Sequence, residues 1–174
     1  RRVLSSEDPF AEEVLDLFES LFPPEELEPR EVIAREWPES PYETWTFEEG
    51  GRTGGVCRGR VSPEGDWCWI VHVGLRSDLR GRGWGDDLLL NGIERICRES
   101  SSVKGTLLEV ERVQDAPDEE SLVVREKRLA FFDRLGAELL TTTYIQASVR
   151  PGSPAVPLNL LWLPRLGGAP DASF

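Results

Sequence analysis

Residues 78–87, DLRGRGWGDD, combine three glycines at alternate positions with two arginines. An apolar run typical of a strand, WCWIVHVGL, precedes them, and a run typical of a helix, LLLNGIERIC, follows. Glycines at such a junction let backbone N–H groups converge on an anion, and the helix N-terminus and the arginines add positive charge. We therefore predict a phosphate or pyrophosphate site made by Arg80, Gly81, Arg82, Gly83, Trp84 and Gly85.

The spacing of these glycines excludes two familiar phosphate-binding loops. A dinucleotide-binding turn needs G-x-G-x-x-G, and Asp86 occupies the position of its third glycine. A Walker loop counted from Gly81 would need glycine and lysine where Asp86 and Asp87 stand. The turn belongs to neither class.

Two carboxylates could accept a proton near this turn. Glu109 and Glu111 lie on the predicted strand TLLEVERV, where their i, i+2 spacing places both on one face. Two neighbouring carboxylates in a partly dry site raise the pKa of one of them, which suits a general base. The alternative is a solvated strand face.

Other polar residues have two interpretations each. His72 alternates with Cys68 and Ile70, and this pattern favours a buried core histidine over a catalytic one. The segment FPPEELEP, residues 22–29, carries Glu25, Glu26 and Glu28. These carboxylates either attract a cationic amine or form an ordinary solvated loop.

The elements that must position these residues follow in the order two helices, three strands, helix, strand, helix and two strands. This order predicts a single mixed α/β domain over residues 1–174, with a flexible tail at 166–174. The apolar segment PLNLLWLP could add to a dimer interface, so the chain is expected to be a monomer or a homodimer.

Composition narrows the class of function. The 174 residues carry a net charge of −12, which disfavours partnership with nucleic acid or an anionic membrane surface. Neither an apolar run of membrane-spanning length nor a signal peptide is recognised, and a cytoplasmic location is expected. The three cysteines have no CxxC spacing and His72 is the single histidine, so buried thiols and no metal site are expected.

The glycine turn also resembles a known family. RGRGWG is similar to the R/Q-x-x-G-x-G/A signature of the GNAT superfamily of N-acetyltransferases, and FFDRLGAE stands where that family often has FYxxxGF. The similarity spans residues 5–165. It implies a single-domain α/β fold with a mixed, mostly antiparallel sheet of six to seven strands flanked by about four helices.

The same resemblance implies a cosubstrate and its contacts. Acetyl-CoA would place its pyrophosphate on the backbone amides of residues 80–85 and its pantetheine along Val73, Gly74 and Leu75. The strand that carries Glu109 would diverge from its neighbour and open a slot for the acetyl arm. The implied reaction is direct acetyl transfer to a primary amine in a ternary complex.

The sequence departs from the family pattern at two positions. Ser77 replaces the usual proline, and Phe132 stands where a general-acid tyrosine is frequent. Tyr144 on the next strand is a substitute candidate for that acid, but its position favours a half-buried structural tyrosine. Three alternatives stay open. The first is a non-catalytic acyl-CoA-binding or regulatory module, which the replacement at Phe132 supports. The others are a transferase with a longer acyl donor or a hydroxyl acceptor and a structural dimerisation protein.

Overall fold

A computed structural model of the chain describes residues 1–152 and 154–165. Its α-helices are α1 (Ala11–Leu21), α2 (Arg30–Glu36), α3 (Trp84–Ile96) and α4 (Glu119–Arg134). Single 3₁₀ turns lie at Ser77–Leu79 and Val113–Asp115. The strands are β1 (Arg2–Val3), β2 (Glu43–Glu49), β3 (Arg52–Val61), β4 (Cys68–Leu75), β5 (Gly105–Glu111), β6 (Glu138–Leu139), β7 (Tyr144–Gln146) and β8 (Val156–Pro164).

These strands form one mixed sheet. Their order is β1-β2-β3-β4-β5-β8-β6, and β7 also pairs with β8. The β4–β5 pair is parallel and the other pairs are antiparallel. The predicted α/β class with a mostly antiparallel sheet and four helices is confirmed. The described residues contain eight strands rather than six or seven because β1 and β6 have two residues each, too few for an alternating pattern.

Helices cover both faces of this sheet. On one face α1 buries Val14, Leu17 and Phe18, whose i, i+3, i+4 spacing forms a single apolar stripe. On the other face α3 buries Leu89 and Ile96, two helical turns apart. The sheet therefore separates two apolar cores, an α1 layer and an α3 layer.

The three cysteines lie in the α3 layer. Cys57, Cys68 and Cys97 are free and buried, as the sequence predicted. A Cβ on Gly92 of α3 would come within 2.5 Å of the Cys57 sulfur, so glycine at this position lets the helix approach the sheet closely. Burial raises the pKa of the Cys57 thiol to about 12, which keeps that thiol protonated and unreactive.

Local side-chain and backbone chemistry defines both ends of helix α4. The carboxylate of Asp118 accepts a hydrogen bond of 2.7 Å from the Ser121 backbone N–H and caps the first turn. At the other end Gly136 adopts a φ of 86°, a left-handed conformation that terminates helices and favours glycine. The last helical residue is accordingly Arg134.

Strand β4 contains one residue more than its partner can pair. Arg58 of β3 lies opposite His72, and the next residue, Gly59, lies opposite Ile70. Val71 is therefore the additional residue of a β-bulge. Side chains alternate between the two faces along a strand. The additional residue therefore places each later side chain of β4 on the face opposite to the one that simple alternation predicts.

The bulge moves His72 to a face other than the predicted one. Cys68 and Ile70 pack in the α3 layer, but the ring of His72 lies 5.5 Å from that of Phe18 and 4.7 Å from that of Phe22, both on the α1 side. The prediction that His72 shares the face of Cys68 and Ile70 is wrong. Its burial is confirmed, since only 6% of the residue is exposed.

Strands β4 and β5 separate after a short paired segment. Cys68–Ile70 pair with Thr106–Leu108, and no further β4–β5 pair follows in the described chain. Strand β5 stays paired with β8 as far as Glu111. The second half of β4 and the end of β5 therefore diverge and leave an opening in the middle of the sheet, where the sequence resemblance implied a slot.

The C-terminal apolar segment is an internal strand. Within the described residues, β8 pairs with β5 on one side and with β6 and β7 on the other, and it buries Leu158, Leu161 and Leu163. This pairing accounts for the apolar character of PLNLLWLP without a dimer interface. The predicted tail at 166–174 lies outside the described residues. None of the helices in the described ranges is long and apolar enough to cross a membrane.

Candidate active site

A cavity of about 920 Å³ lies in the opening between β4 and β5. Its wall comes from the turn before α3, the diverging halves of β4 and β5, one face of α4 and the loop between α1 and α2. The predicted functional residues that line it are Val73, Gly74, Leu75, Arg80, Gly81, Gly83, Gly85, Glu109 and Glu111. Residues that are far apart in the sequence thus meet in one cavity.

The glycine turn is open toward this cavity. Gly81 and Gly83 have φ angles of 75° and 82°, and a Cβ at either position would meet nothing within 4 Å. Within residues 1–152 and 154–165, no backbone carbonyl accepts from the N–H of Gly81 or Gly83. Gly83 also caps the N-terminus of α3. The turn therefore offers unpaired N–H donors beside the positive end of a helix dipole.

Two predicted residues of the turn direct their side chains elsewhere. The Arg82 guanidinium lies 5.5 Å from the ring centre of Trp84, and the Trp84 ring lies 5.2 Å from that of Phe47. Neither side chain lines the cavity. Arg80 does line it, and its Nε donates a hydrogen bond of 3.2 Å to the Leu75 carbonyl. Arg82 and Trp84 can contribute to an anion site through their backbone.

The two aspartates after the glycines differ in their surroundings. Asp86 accepts two hydrogen bonds from Arg134, of 2.6 and 2.9 Å, whereas Asp87 is exposed. The Arg134 guanidinium holds the pKa of the Asp86 carboxyl below its usual range. Asp86 therefore faces the cavity as half of an ion pair, which reduces its repulsion of an anion on the turn.

Strand β4 presents a free edge to the cavity beyond Ile70. On one side of β4, Val73 pairs with Cys57 of β3. On the other side, β5 has already diverged and does not pair with Val73. A Cβ on Gly74 would lie 3.0 Å from Leu21 of α1, so the helix passes directly over this part of the strand. The edge is the kind to which an extended ligand adds backbone-like hydrogen bonds.

Glu109 lies half-buried in the cavity wall. Its Oε1 accepts a hydrogen bond of 2.6 Å from the hydroxyl of Tyr144. Burial raises the pKa of the Glu109 carboxyl, and the hydrogen bond from Tyr144 offsets part of the increase. The sequence predicted a raised pKa from a second carboxylate; the structure gives burial as its cause.

Glu111 is engaged by a cation. Its carboxylate forms an ion pair with Arg128 of α4, and 19% of the side chain is exposed. Burial lowers the pKa of the Arg128 guanidinium, and the charge of Glu26 partly restores it. The two predicted carboxylates therefore share a face of β5 but differ in their partners.

Tyr144 lies behind Glu109. The tyrosine is absent from the cavity lining in the described residues, and burial, together with the bond to Glu109, raises the pKa of its phenol. Tyr144 thus holds its proton and donates it to the carboxylate. This position suits a residue that orients Glu109 better than one that protonates a leaving group.

Phe132 is part of the cavity wall and of the α3 layer. Only 4% of it is exposed, and its ring meets that of Phe131 edge-on at 5.0 Å. A phenyl ring has no acidic proton, so the wall at this position is apolar and cannot donate one.

The three carboxylates of the acidic loop between α1 and α2 have different surroundings. Glu25 is exposed, Glu26 lines the cavity, and Glu28 pairs at 3.3 Å with the buried guanidinium of Arg58. Burial raises the pKa of the Glu26 carboxyl. The interpretation as a solvated loop holds for Glu25, while Glu26 has the position expected of a residue that meets a ligand.

The face of α4 that lines the cavity was not identified from the sequence. Val124, Lys127, Arg128 and Phe131 follow one another at i, i+3, i+4 and i+7, the spacing of one helix face. This face contains both charged and apolar residues, so it shows no apolar periodicity in the sequence. Gln146 of β7, another wall residue, gave no signal of its own.

Comparison with known proteins identifies the family. Residues 11–117 match the family described as the Acetyltransferase (GNAT) family. No curated protein matches the sequence. A solved structure described as a GNAT-family acetyltransferase from Bacteroides thetaiotaomicron is similar with 21% identity and a TM-score of 0.72, over 95% of this chain and 86% of that one.

Two further solved structures have the same fold. The ribosomal-protein-S18-alanine N-acetyltransferase from Escherichia coli has 18% identity and a TM-score of 0.62, over 100% of both chains. An acetyltransferase from Bacillus subtilis in complex with CoA has 16% identity and a TM-score of 0.60, over 95% of this chain and 99% of that one. At these identities the likenesses show the fold alone.

Proposed function

We propose, because the chain belongs to the GNAT family of acetyltransferases, that it moves an acetyl group from acetyl-CoA to a primary amine by direct transfer in a ternary complex. The observation that carries the proposal is one cavity that joins the open glycine turn to the half-buried carboxylate of Glu109. The turn suits the phosphates of the donor, and the carboxylate suits the amine.

The turn has the features that a pyrophosphate needs. The N–H groups of Gly81 and Gly83 are free of backbone partners among the described residues, and the space above both glycines is open. The α3 dipole and Arg80 supply positive potential at the same place. We assign the phosphate contacts to Arg80 through Gly85, with Arg82 and Trp84 contributing backbone N–H groups.

The free edge of β4 leads from the turn toward Glu109. Val73, Gly74 and Leu75 line the cavity along this edge, and β5 has diverged from it. The pantetheine arm carries amide groups that can pair with an exposed strand edge. We assign the arm to these three residues, which would bring its thioester end into the gap between the strands.

Glu109 is the residue that we assign to accept the amine proton. Burial raises the pKa of its carboxyl, which favours uptake of a proton, and the hydrogen bond from Tyr144 fixes the position of Oε1. Glu111 shares the cavity but is held by Arg128, so it is our second candidate for the same role.

The proposed transfer needs no covalent enzyme intermediate. The amine nitrogen bonds to the thioester carbonyl carbon, and the carbon–sulfur bond breaks with its electron pair on sulfur. Glu109 takes the proton released from nitrogen. Phe132 supplies no proton to the thiolate, and we propose that the thiolate leaves as the anion and is protonated by water.

A second candidate function rests on the same phenylalanine. Without a proton donor in this part of the wall, the chain could bind acyl-CoA and transfer nothing. Incubation with acetyl-CoA and mixed primary amines separates the two candidates. An acetyltransferase releases CoA thiol only when an amine is present, whereas a binding module shows CoA-dependent thermal stabilisation without thiol release.

A further inference from the structure

The charges that line the cavity are unevenly distributed. Glu26 and Glu109 lie close enough for the charge of one to raise the pKa of the other, and Glu111 lies on the same face of β5. Arg128 also lines the cavity, close enough to Glu26 and Arg80 for the charge of each to affect its pKa. The wall is thus acidic around β5 and the α1–α2 loop and basic toward the glycine turn.

In the acidic part of the cavity wall, the Nδ1 atom of His72 is an acceptor without a hydrogen-bond donor among the described residues. Its Nε2 lies 3.1 Å from the backbone carbonyl oxygen of Glu26, which only accepts, so Nε2 carries the hydrogen. Burial lowers the pKa of the ring to about 4, and Nδ1 therefore keeps a free lone pair at neutral pH. The residue is 6% exposed, lines the cavity and has no partner for Nδ1 among the described residues.

Gln146 adds another acceptor to the same wall. Its side-chain oxygen is buried and has no hydrogen-bond partner in the described part of the chain. Buried acceptors without a donor destabilise a fold unless water or a ligand supplies the hydrogen. Two such atoms in the cavity that Glu26 also lines indicate a ligand rich in N–H donors.

A substrate carboxylate would be repelled in the acidic part of the wall. The carboxylate would face Glu26 and Glu109, and the nearby guanidinium of Arg128 already pairs with Glu111. An ammonium group is attracted there, because it donates in three directions and its charge is opposite to those of Glu26 and Glu109. The chain net charge of −12 attracts such a cation as well.

From this wall, and resting on the proposed function, we infer that the acceptor is a diamine or larger polyamine without a carboxylate. One amino group reacts at Glu109, and a second ammonium binds the Glu26 carboxylate, the His72 Nδ1 atom and the Gln146 amide oxygen. The substrate class is thus a flexible chain with an amino group at each end and no carboxylate.

Three matched acceptors test the inference: butylamine, the α,ω-diamine of the same chain length and the ω-amino acid of the same length. With acetyl-CoA as donor, kcat/KM should be highest for the diamine and exceed that for the amino acid by at least about tenfold, mainly through KM. A kcat/KM for the amino acid or for butylamine equal to that for the diamine would overturn the inference.

Two adjacent carboxylates provide a matched pair of variants. Glu26→Gln keeps the size of the side chain and should lower kcat/KM for the diamine by at least about tenfold, toward the value for butylamine. Glu25→Gln removes the same charge from an exposed position one residue away and should keep the preference for the diamine. Equal effects of both variants would indicate net charge alone and would refute the site.

A binding measurement separates this inference from the proposed reaction. Calorimetry on the CoA-saturated protein should show that the diamine binds more tightly than the amino acid. Glu26→Gln should remove this difference in affinity. If that result appears while no amine is acetylated, the proposed reaction fails and the diamine site stands. If amines are acetylated but the diamine has no advantage in binding, the diamine site fails and the reaction stands.

Discussion

The hydroxyl of Tyr144 donates a hydrogen bond of 2.6 Å to Oε1 of Glu109, although the two residues lie on different strands. Strands β5 and β7 do not pair with each other; each pairs with β8, which places Glu109 opposite Leu160 and Tyr144 opposite Leu158. The bond therefore spans β8 and fixes the direction of a carboxylate in the cavity wall.

Removal of this hydrogen bond should change the pH profile of the reaction. The bond stabilises the ionised carboxylate, so Tyr144→Phe should raise the pKa of Glu109 further. Activity requires the ionised base, and the acidic limb of kcat/KM against pH should therefore move to higher pH. Tyr42→Phe, at the other tyrosine of the chain, should leave the limb in place. An unshifted limb in Tyr144→Phe would remove Tyr144 from any positioning role.

Glu109→Gln should lose turnover at neutral pH by about a hundredfold or more, the usual cost of a missing general base. Glu111→Gln should lose less, because its main effect is to free Arg128. CoA affinity, measured by calorimetry, should be retained in Glu109→Gln. Wild-type turnover in both variants would eliminate these carboxylates from the mechanism.

The same substitution should not weaken the fold at neutral pH. The folded pKa of Glu109 is raised by burial, so keeping the carboxylate ionised opposes folding above its unfolded pKa. Glu109→Gln removes that cost, and its melting temperature at neutral pH should equal or exceed that of the wild type. Below the unfolded pKa the difference should disappear. A markedly lower melting temperature at neutral pH would contradict this account of burial.

Gly83→Asp should abolish binding of CoA in calorimetry, because it places a side chain and a negative charge over the open N–H groups of the turn. The left-handed φ of 82° adds strain on the order of 1 kcal/mol. Gly50→Asp, in the β2–β3 turn, is a matched control with a φ of 60° and open space. CoA affinity that survives in Gly83→Asp would place the donor elsewhere.

Phe132→Tyr should change acetyl transfer by far less than the roughly hundredfold that a general acid can supply. A CoA thiol is acidic enough to leave as the thiolate. Steady-state kinetics of the variant, with folding checked by circular dichroism, measure the effect. A large gain in rate would contradict the proposed mechanism and favour a ligand-binding domain whose catalysis has decayed.

The part of the site that depends on neighbours in sequence could be predicted. The strand, glycine turn and helix around Gly81 and Gly83 were identified from residue types alone, because turn and helix-start preferences act over a few residues. The face shared by Glu109 and Glu111 followed from strand alternation in the same way.

The part that depends on distant residues could not be predicted. Burial and the bond to Tyr144 determine the state of Glu109, and the chain separates that pair by 35 positions. Arg128 engages Glu111 from another element, and Arg134 neutralises Asp86 across 48 positions. His72 was assigned to the wrong face because the pairing of β4 with β3, rather than its own sequence, creates the bulge.

The additional residue at Val71 gives β4 two different environments along one strand. Before Val71, Cys68 and Ile70 pack in the thiol-containing layer beneath α3. After it, His72 and Gly74 face α1 and the cavity. Deletion of Val71 would remove the bulge and leave His72 opposite Arg58 on the α1 side, because the remaining β3–β4 pairs are already continuous. Because Val71 itself lines the cavity, a change in the length of β4 at this point alters the wall at one position and keeps the residues on either side in register with β3.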